Sequence, residues 1–461
     1  MAKNAVELGQ SLVSRWGRPA RLVTVAILAL LLLIPLQMVE SVVRERYHTY
    51  QQVVADIAGA WSSDQLVAGP ALVVPYSEKV EVRDAFVTPE GERRFATRWE
   101  TRLRRAVLLP DTLELDAQME PESRHRGIYR VQVYSAELLT TGRFDDPETA
   151  IRALSTDEQM DEILWPQAVL AFGLSDPRGI VRADGLLVDQ QPVQPGPGTT
   201  LGEIMPRGFH LPVGAGAADG LDFDLPMVIR GSGSLKFLPL GETTRAAIRS
   251  SWPHPSFVGG VLPASRSIES SGFAAEWTIP LLNRSYPQAW TAGDEIDLDE
   301  VDAGVRLFEP VALYDMVTRA VKYGLLFIVL TFLTLGLIEL VLGTRLSLVQ
   351  FLLIGVALAL FFLILIALAE HLGFGLAYVL ASTTVVAINT LYCAAILRSR
   401  STAAIVGGVL SAIYGILYVI LEAEDYALLG GTALLVAALV VTMYFTRRLH
   451  EPAVSAAVAV E

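Results

Sequence analysis

The amino-acid sequence predicts a membrane protein: a six-helix transmembrane α-bundle with a large mainly-β (α+β) domain inserted between the first and second spans. Three observations carry that prediction. Apolar runs recur along the 461 residues, one near the start and five after Tyr323. Charge is segregated, because residues 41–322 hold 27 Lys and Arg against 40 Asp and Glu, a net of −13 that equals the charge of the whole chain. Between the first two apolar runs, β-forming residues cluster or alternate between Gly, Pro and Asp turns.

Residues 1–22 form a short basic segment with Lys3, Arg15, Arg18 and Arg21 against Glu7. The first apolar run, 23–39, is broken only by Pro35. A signal peptide has a similar outline, but no small-residue cleavage site follows Pro35, where the chain reads LQMVESVV, so an uncleaved signal anchor is expected. Val42, Val43, Tyr47, Tyr50, Val53, Val54, Ile57 and Trp61 then recur at helical spacing, which extends the first span as a juxtamembrane stalk.

Residues 40–322 form the inserted domain. Strands are expected over Ala71–Tyr76, Phe95–Leu115, Gly127–Leu139, Phe172–Val188, Leu221–Leu238 and Gly272–Asn283. Pro147–Trp165 has an amphipathic helical pattern, Asp189–Pro197 is a loop rich in Pro and Gly, and Gly231-Ser232-Gly233-Ser234 is a turn between strands. A sandwich or two stacked sheets is the expected architecture.

The later spans are 323–342, 348–369, 374–397, 403–421 and 426–445, followed by a tail over 446–461. About 20 apolar residues are needed to cross a bilayer core as a helix. Arg345, Arg398, Arg400, Arg447 and Arg448 alternate with loops that hold Glu370 and His371, then Glu422, Glu424 and Asp425, and that lack Lys and Arg. Basic short loops mark the cytoplasmic side. Both termini are therefore expected in the cytoplasm and residues 40–322 outside.

Motifs for chemistry are sparse. The six histidines do not stand at metal-ligand spacing from one another or from Cys393, and HExxH, CxxC, P-loop and GxSxG patterns are missing from the sequence. The expectation is a protein that is not an enzyme and has no cofactor and no metal. Asp294–Asp302 lacks the glycine and spacing of an EF-hand and is expected to be a solvated loop. An acidic domain is also a poor electrostatic partner for nucleic acid.

Five residues remain as functional candidates. Glu339 is a carboxylate within a span, which either faces a protein interior or wet cavity or pairs with Arg345 near the end of its helix. Asn389, central in its span, is expected to make an interhelical hydrogen bond or to contact a substrate. Trp252 and Trp290 lie in aromatic and proline clusters that serve either as core plugs or as a partner surface. Glu309 precedes Pro310 and stands within reach of Arg319 or Lys322.

Trp61 with Gln65, Gly69-Pro70 and Pro75; Gly127-Ile128-Tyr129 before Tyr134-Ser135-Ala136-Glu137; Ser251-Trp252-Pro253 with Ser256-Phe257 and Gly259; Gly272-Phe273 with Trp277; Leu307-Phe308-Glu309-Pro310 leading to Arg319-Ala320-Val321-Lys322-Tyr323; and Glu370-His371-Leu372-Gly373-Phe374 with Ala377-Tyr378 together resemble the CreD family of bacterial inner-membrane proteins. The resemblance spans nearly the full length. It implies a multi-pass protein of the bacterial inner membrane with residues 40–322 in the periplasm. It also implies a part in cell-envelope integrity within an envelope and β-lactam stress response, and supplies no catalytic residues. The expected partners are the lipid bilayer and an envelope component or membrane protein bound through the periplasmic domain. The alternative is a transporter or channel moving a lipid or ion through the C-terminal bundle.

Overall fold

The segment Thr112–Arg126 shows why the middle of this chain folds as sheet. Its Leu113, Leu115, Ala117 and Met119 point inward and are almost fully buried, while Glu114, Asp116 and Gln118 alternate outward. A period of two places one set on each face of a strand. The computed structural model describes residues 23–87, 93–155, 160–202, 205–298, 301–307, 313–342, 346–397, 399–422 and 427–447. Two compact units emerge, Gln51–Pro310 and, separately, Met1–Tyr50 with Val311–Glu461.

The first unit is the β domain. In chain order its strands are β1 (Gln65–Val87), β2 (Arg93–Leu108), β3 (Thr112–Arg126), β4 (Tyr129–Phe144), β5 (Met160–Ile163), β6 (Val169–Leu174) and β7 (Ile180–Arg182). There follow β8 (Leu187–Val188), β9 (Gln191–Pro192), β10 (Gly196–Pro197), β11 (Gly208–Pro212), β12 (Leu221–Ser232) and β13 (Ser234–Phe237). The last are β14 (Thr243–Ser250), β15 (Pro255–Gly259), β16 (Ser265–Glu269), β17 (Gly272–Pro280), β18 (Ala289–Thr291) and β19 (Ala303–Leu307).

Among the described residues these make two sheets. One runs β10-β11-β6-β1-β13-β19-β15, with β2 and β5 also on β1 and β18 on β2; the other runs β16-β17-β14-β3-β4-β12-β8-β9, with β7 on β12. A single apolar core joins them. Phe237 of the first sheet meets Trp277 of the second edge-on, with centroids 5.7 Å apart, and Phe257 does the same with Phe273 and Trp277 at 6.1 Å. The expected two stacked sheets are thus present.

Several local expectations change; the stretch Phe172–Val188 is divided among β6, β7 and β8, and Asp189–Pro197 holds β9 and β10. The stretch Phe95–Leu115 divides between the sheets, because β2 ends at Leu108 and Pro110, which has no N–H to donate to a ladder, stands before β3. The helix expected over Pro147–Trp165 is only α2, Pro147–Arg152, capped by the Asp146 side chain on the Thr149 N–H. The chain is extended again by Met160, where β5 pairs with β1, so sheet pairing overrides a helical pattern. Strand β1 reaches well past Tyr76, because its ladder with β2 runs as far as Val87↔Arg93 and holds polar residues in extended form.

The other unit is helical. Helix α1 runs Val23–Trp61 as the stalk pattern predicts, with a turn at Leu32. It is followed by α3 (Leu313–Lys322), α4 (Gly324–Leu342), α5 (Leu348–Leu372), α6 (Phe374–Leu397), α7 (Arg400–Glu422) and α8 (Ala427–Thr446). Small residues let α1 approach: a Cβ on Gly324 would lie 2.2 Å from Leu36 Cδ2, and one on Gly355 2.1 Å from Leu32 Cδ1. Rings of Phe327, Phe361, Phe362 and Tyr414 pack at 4.8–5.7 Å in the bundle, and the Tyr378 hydroxyl donates to the Tyr414 carbonyl at 2.8 Å.

Among the described residues, α1, α5, α6 and α7 are long and apolar enough to cross a membrane. The expected span 323–342 corresponds to α4, which meets the preceding α3 at 42°, and the two together make a fifth candidate if the pair is one span. Helix α8 is apolar over Leu429–Tyr444, which is short for a crossing.

Candidate functional site

The structure scatters the five candidates. Glu339 is half-buried on α4, and its Oε1 accepts the Leu346 backbone N–H at 2.5 Å, so the carboxylate is engaged by the residue two positions before α5. Asn389 on α6 is 2% exposed, and its Nδ2 finds no hydrogen-bond partner among the described residues, so the amide donor expected to bridge two helices makes no such bond there. Trp290 on β18 is a buried core residue, and Trp252 is half-buried with its Nε1–H on the His254 carbonyl at 3.0 Å. Glu309 and Arg345 lie outside the described residues. His371, beside Glu370, is exposed.

Two constellations that single-residue reasoning passed over are far better built. The first lies in the helical unit, where α1, α3 and the end of α5 meet. Tyr314 is buried on the inward stripe of α3, and its hydroxyl donates to Glu370 Oε1 at 3.2 Å. Arg46 Nε stands 3.9 Å from the same oxygen. Tyr47 and Tyr50 close over Tyr314, with ring centroids at 6.1 and 5.7 Å. The Glu370 side chain is only 9% exposed. A nearly buried carboxylate needs such donors, since burying one without them is costly. Helical spacing marks Tyr47 and Tyr50, whereas their contact with Tyr314 is long-range and leaves no mark in the local sequence.

The second lies in the β domain at the end of α1. Trp61 is held between the Arg124 and Arg230 guanidinium groups, 4.3 and 4.2 Å from its ring centroid. Gln65, 1% exposed, donates through Nε2 toward Ser62 Oγ at 2.8 Å, the Arg230 carbonyl at 2.9 Å and the Asp176 carbonyl at 3.0 Å. Its Oε1 accepts from the Asp176 N–H at 3.3 Å. The Asp176 carboxylate accepts from Ser63 N–H at 3.1 Å and from Arg178 Nε and Nη2, both at 2.8 Å. The hydrogen-bonded Arg178 guanidinium holds the Asp176 carboxyl well below the usual carboxylate range, outweighing the opposing effect of burial.

Backbone closeness makes this socket possible. A Cβ on Gly179 would lie 2.4 Å from both the Arg230 carbonyl and Gln65 Nε2, and one on Gly231 2.3 Å from the Tyr134 hydroxyl. Tyr134 donates to the Ser234 carbonyl at 2.7 Å, and burial, with the Asp64 charge adding to it, keeps its phenol protonated far above the ordinary range. Tyr286 is a third anchor, with its hydroxyl on the Pro239 carbonyl at 3.1 Å and the Arg284 guanidinium 4.9 Å above its ring. These contacts are structural clasps.

An open groove of about 520 Å³ lies on the outer face of the second sheet between Asp116, Glu137, Leu139 and Arg182. A neighbouring groove of about 330 Å³ shares Asp116 and Leu139. Charged pairs cross this face, including Arg249 on Asp116 at 2.7 Å. Among the described residues no group of three or more His, Cys, Asp or Glu is placed to hold a metal ion.

A family model described as "Inner membrane protein CreD" matches residues 19–450. The chain belongs to the CreD family. The Inner membrane protein CreD of Escherichia coli (strain K12) is 31% identical over 425 residues, covering 91% of this chain and 90% of that relative. The CreD match therefore takes in both units. Every residue of the stalk socket and of the Glu370 cluster falls inside it, so apolar helices and β domain together are one CreD protein of the inner membrane.

Proposed function

We propose that this CreD-family protein maintains cell-envelope integrity by binding an envelope component through its β domain, within an envelope and β-lactam stress response. The carrying observation is the architecture. A self-contained double sheet with its own core is inserted into a chain of apolar helices, and its surface holds grooves and charged faces without an assembled catalytic constellation among the described residues. The distribution of Arg among the short loops supports a six-span topology with both termini cytoplasmic and residues 40–322 periplasmic. The protein acts as a binding module and carries out no chemical step of its own.

The transport reading draws on Asn389, a buried amide whose donor has no partner among the described residues. Glu339 is spoken for by Leu346. In cells lacking the chromosomal copy, a Glu339→Gln/Asn389→Leu variant present at normal level should restore envelope integrity as wild type does. Loss of rescue by that variant at normal level would overturn the binding proposal in favour of transport. Photo-crosslinkers placed across the β-domain surface in intact cells should trap an envelope component, and silence at every position would also overturn it.

A further inference from the structure

The hairpin of β1 and β2 extends beyond the body of the first sheet. On β2, Phe95, Trp99 and Leu103 are 68%, 63% and 64% exposed, and their two-residue multiples of spacing put all three on one face. At about 3.3 Å per residue the strip is about 26 Å long. The opposite face carries Arg98, Arg102 and Arg104 against Glu78 and Glu100. Strand β2 holds six Arg and one Glu, although it belongs to a region with a net charge of −13.

Among the described residues the outer edge of this strand is open. The Arg105 carbonyl accepts the Ala292 N–H at 2.8 Å on the side away from β1, and β18 pairs with β2 there from Ala106 to Leu108. In an antiparallel strand, alternate residues present backbone groups to the same side. The N–H and C=O groups of Phe95, Thr97, Trp99, Thr101 and Leu103 therefore point to that same edge, and among the described residues no strand pairs with it. A long open edge with exposed rings is a template for strand addition, and β18 already shows this edge accepting a strand.

We propose that the β2 edge from Phe95 to Leu103 receives an extended segment of a partner protein in which acidic and apolar residues alternate. Main-chain hydrogen bonds extend the sheet past β18. The apolar side chains of the incoming strand lie beside Phe95, Trp99 and Leu103, and its carboxylates lie beside Arg98 and Arg102. A bilayer is a poorer occupant, since acyl chains leave the open row of N–H and C=O groups unpaired. A second β2 is poorer still, because it sets arginine against arginine. This inference rests on the reading of the β domain as the binding part and names the class of partner.

The test uses the full-length protein in detergent and a fluorescent peptide alternating Glu and Val, with a Lys-Val peptide as control. Saturable binding of the acidic peptide alone is expected. Thr101→Pro removes an outward N–H while leaving the pairing with β1, since proline is tolerated where its missing donor faces away from the ladder. It should weaken binding by about tenfold or more, as should Trp99→Ala. No saturable binding, or binding unchanged in Thr101→Pro, overturns the proposal. So does preferential binding to phosphatidylglycerol vesicles that Thr101→Pro does not alter, or a dimer that Thr101→Pro dissociates. If crosslinking in cells still traps an envelope component after Thr101→Pro, the binding function stands and this edge is not its seat.

Discussion

Replacing Gln65 with Leu tests the stalk socket most directly. The side chains are similar in volume, so the perturbation is the loss of one amide. Its Nε2 serves carbonyls on two separate segments, Arg230 on β12 and Asp176 before the turn Pro177–Gly179, at 2.9 and 3.0 Å. Leaving a buried carbonyl without its donor costs about 1–3 kcal/mol, and two are affected. Burying the added apolar surface offsets about 1 kcal/mol. The net expected loss is about 1–5 kcal/mol, which at roughly 2–4 °C per kcal/mol lowers Tm by about 2–20 °C. Full-length protein in detergent, unfolded thermally and followed by tryptophan emission, reports it, because Trp61 lies under Arg230 next to the lost contact. Gln65→Glu keeps an acceptor but cannot donate, and should lose a similar amount at pH 7. If both variants fall within about 1 kcal/mol of wild type, the socket does not depend on the amide and the reasoning is refuted.

Asp176 gives a pH test. Its folded pKa is depressed, so the stability it contributes is fully present above the ordinary carboxylate pKa of about 3.9 and is lost as pH falls below that toward the folded value. Asp176→Asn should therefore be less stable than wild type at pH 7, with the gap in denaturant midpoint closing below about pH 4; a gap independent of pH would refute the assignment. In the helical unit, Glu370→Leu removes the acceptor of the Tyr314 hydroxyl and should cost about 1–3 kcal/mol, whereas Glu370→Gln keeps an acceptor and should cost less, as read by thermal unfolding in detergent. Gly355→Leu should separate α1 from α5, because even a Cβ meets Leu32 at 2.1 Å; a cysteine crosslink between the two helices should weaken, and an unchanged yield would count against this packing.

The sequence makes the large divisions of the chain readable because they depend on local quantities: apolar run length, charge density and period. Leu113 to Met119 alternate in both sequence and burial, and Val39 to Trp61 is one helix as its spacing requires. What local reading misses depends on distant partners. Nothing between Pro147 and Trp165 says that Met160–Ile163 will find an open edge on β1. His371 draws attention as a titratable residue, yet its neighbour Glu370 is the one enclosed, because Tyr314 arrives from 56 residues away. Gln65 and Tyr134 appear in the family pattern without a role until the fold brings Arg230, Asp176 and Ser234 against them.

The two units also follow opposite rules of burial, and this argues for two solvents. In the β domain the inward positions of β3, β12 and β17 are apolar, and acids and arginines alternate outward. In the bundle, Leu353, Leu376, Leu391, Val419 and Leu439 are half or more exposed, while Thr331, Asn389 and Thr402 turn inward. Water does not tolerate a continuous apolar surface of that kind on a monomer, but acyl chains do. Within a bilayer the hydrophobic effect does not hold helices together, so close packing must do so. That accounts for glycines at Leu32 and Leu36 and interlocked rings around Tyr414 in the helical unit, where the β domain relies on one broad apolar core.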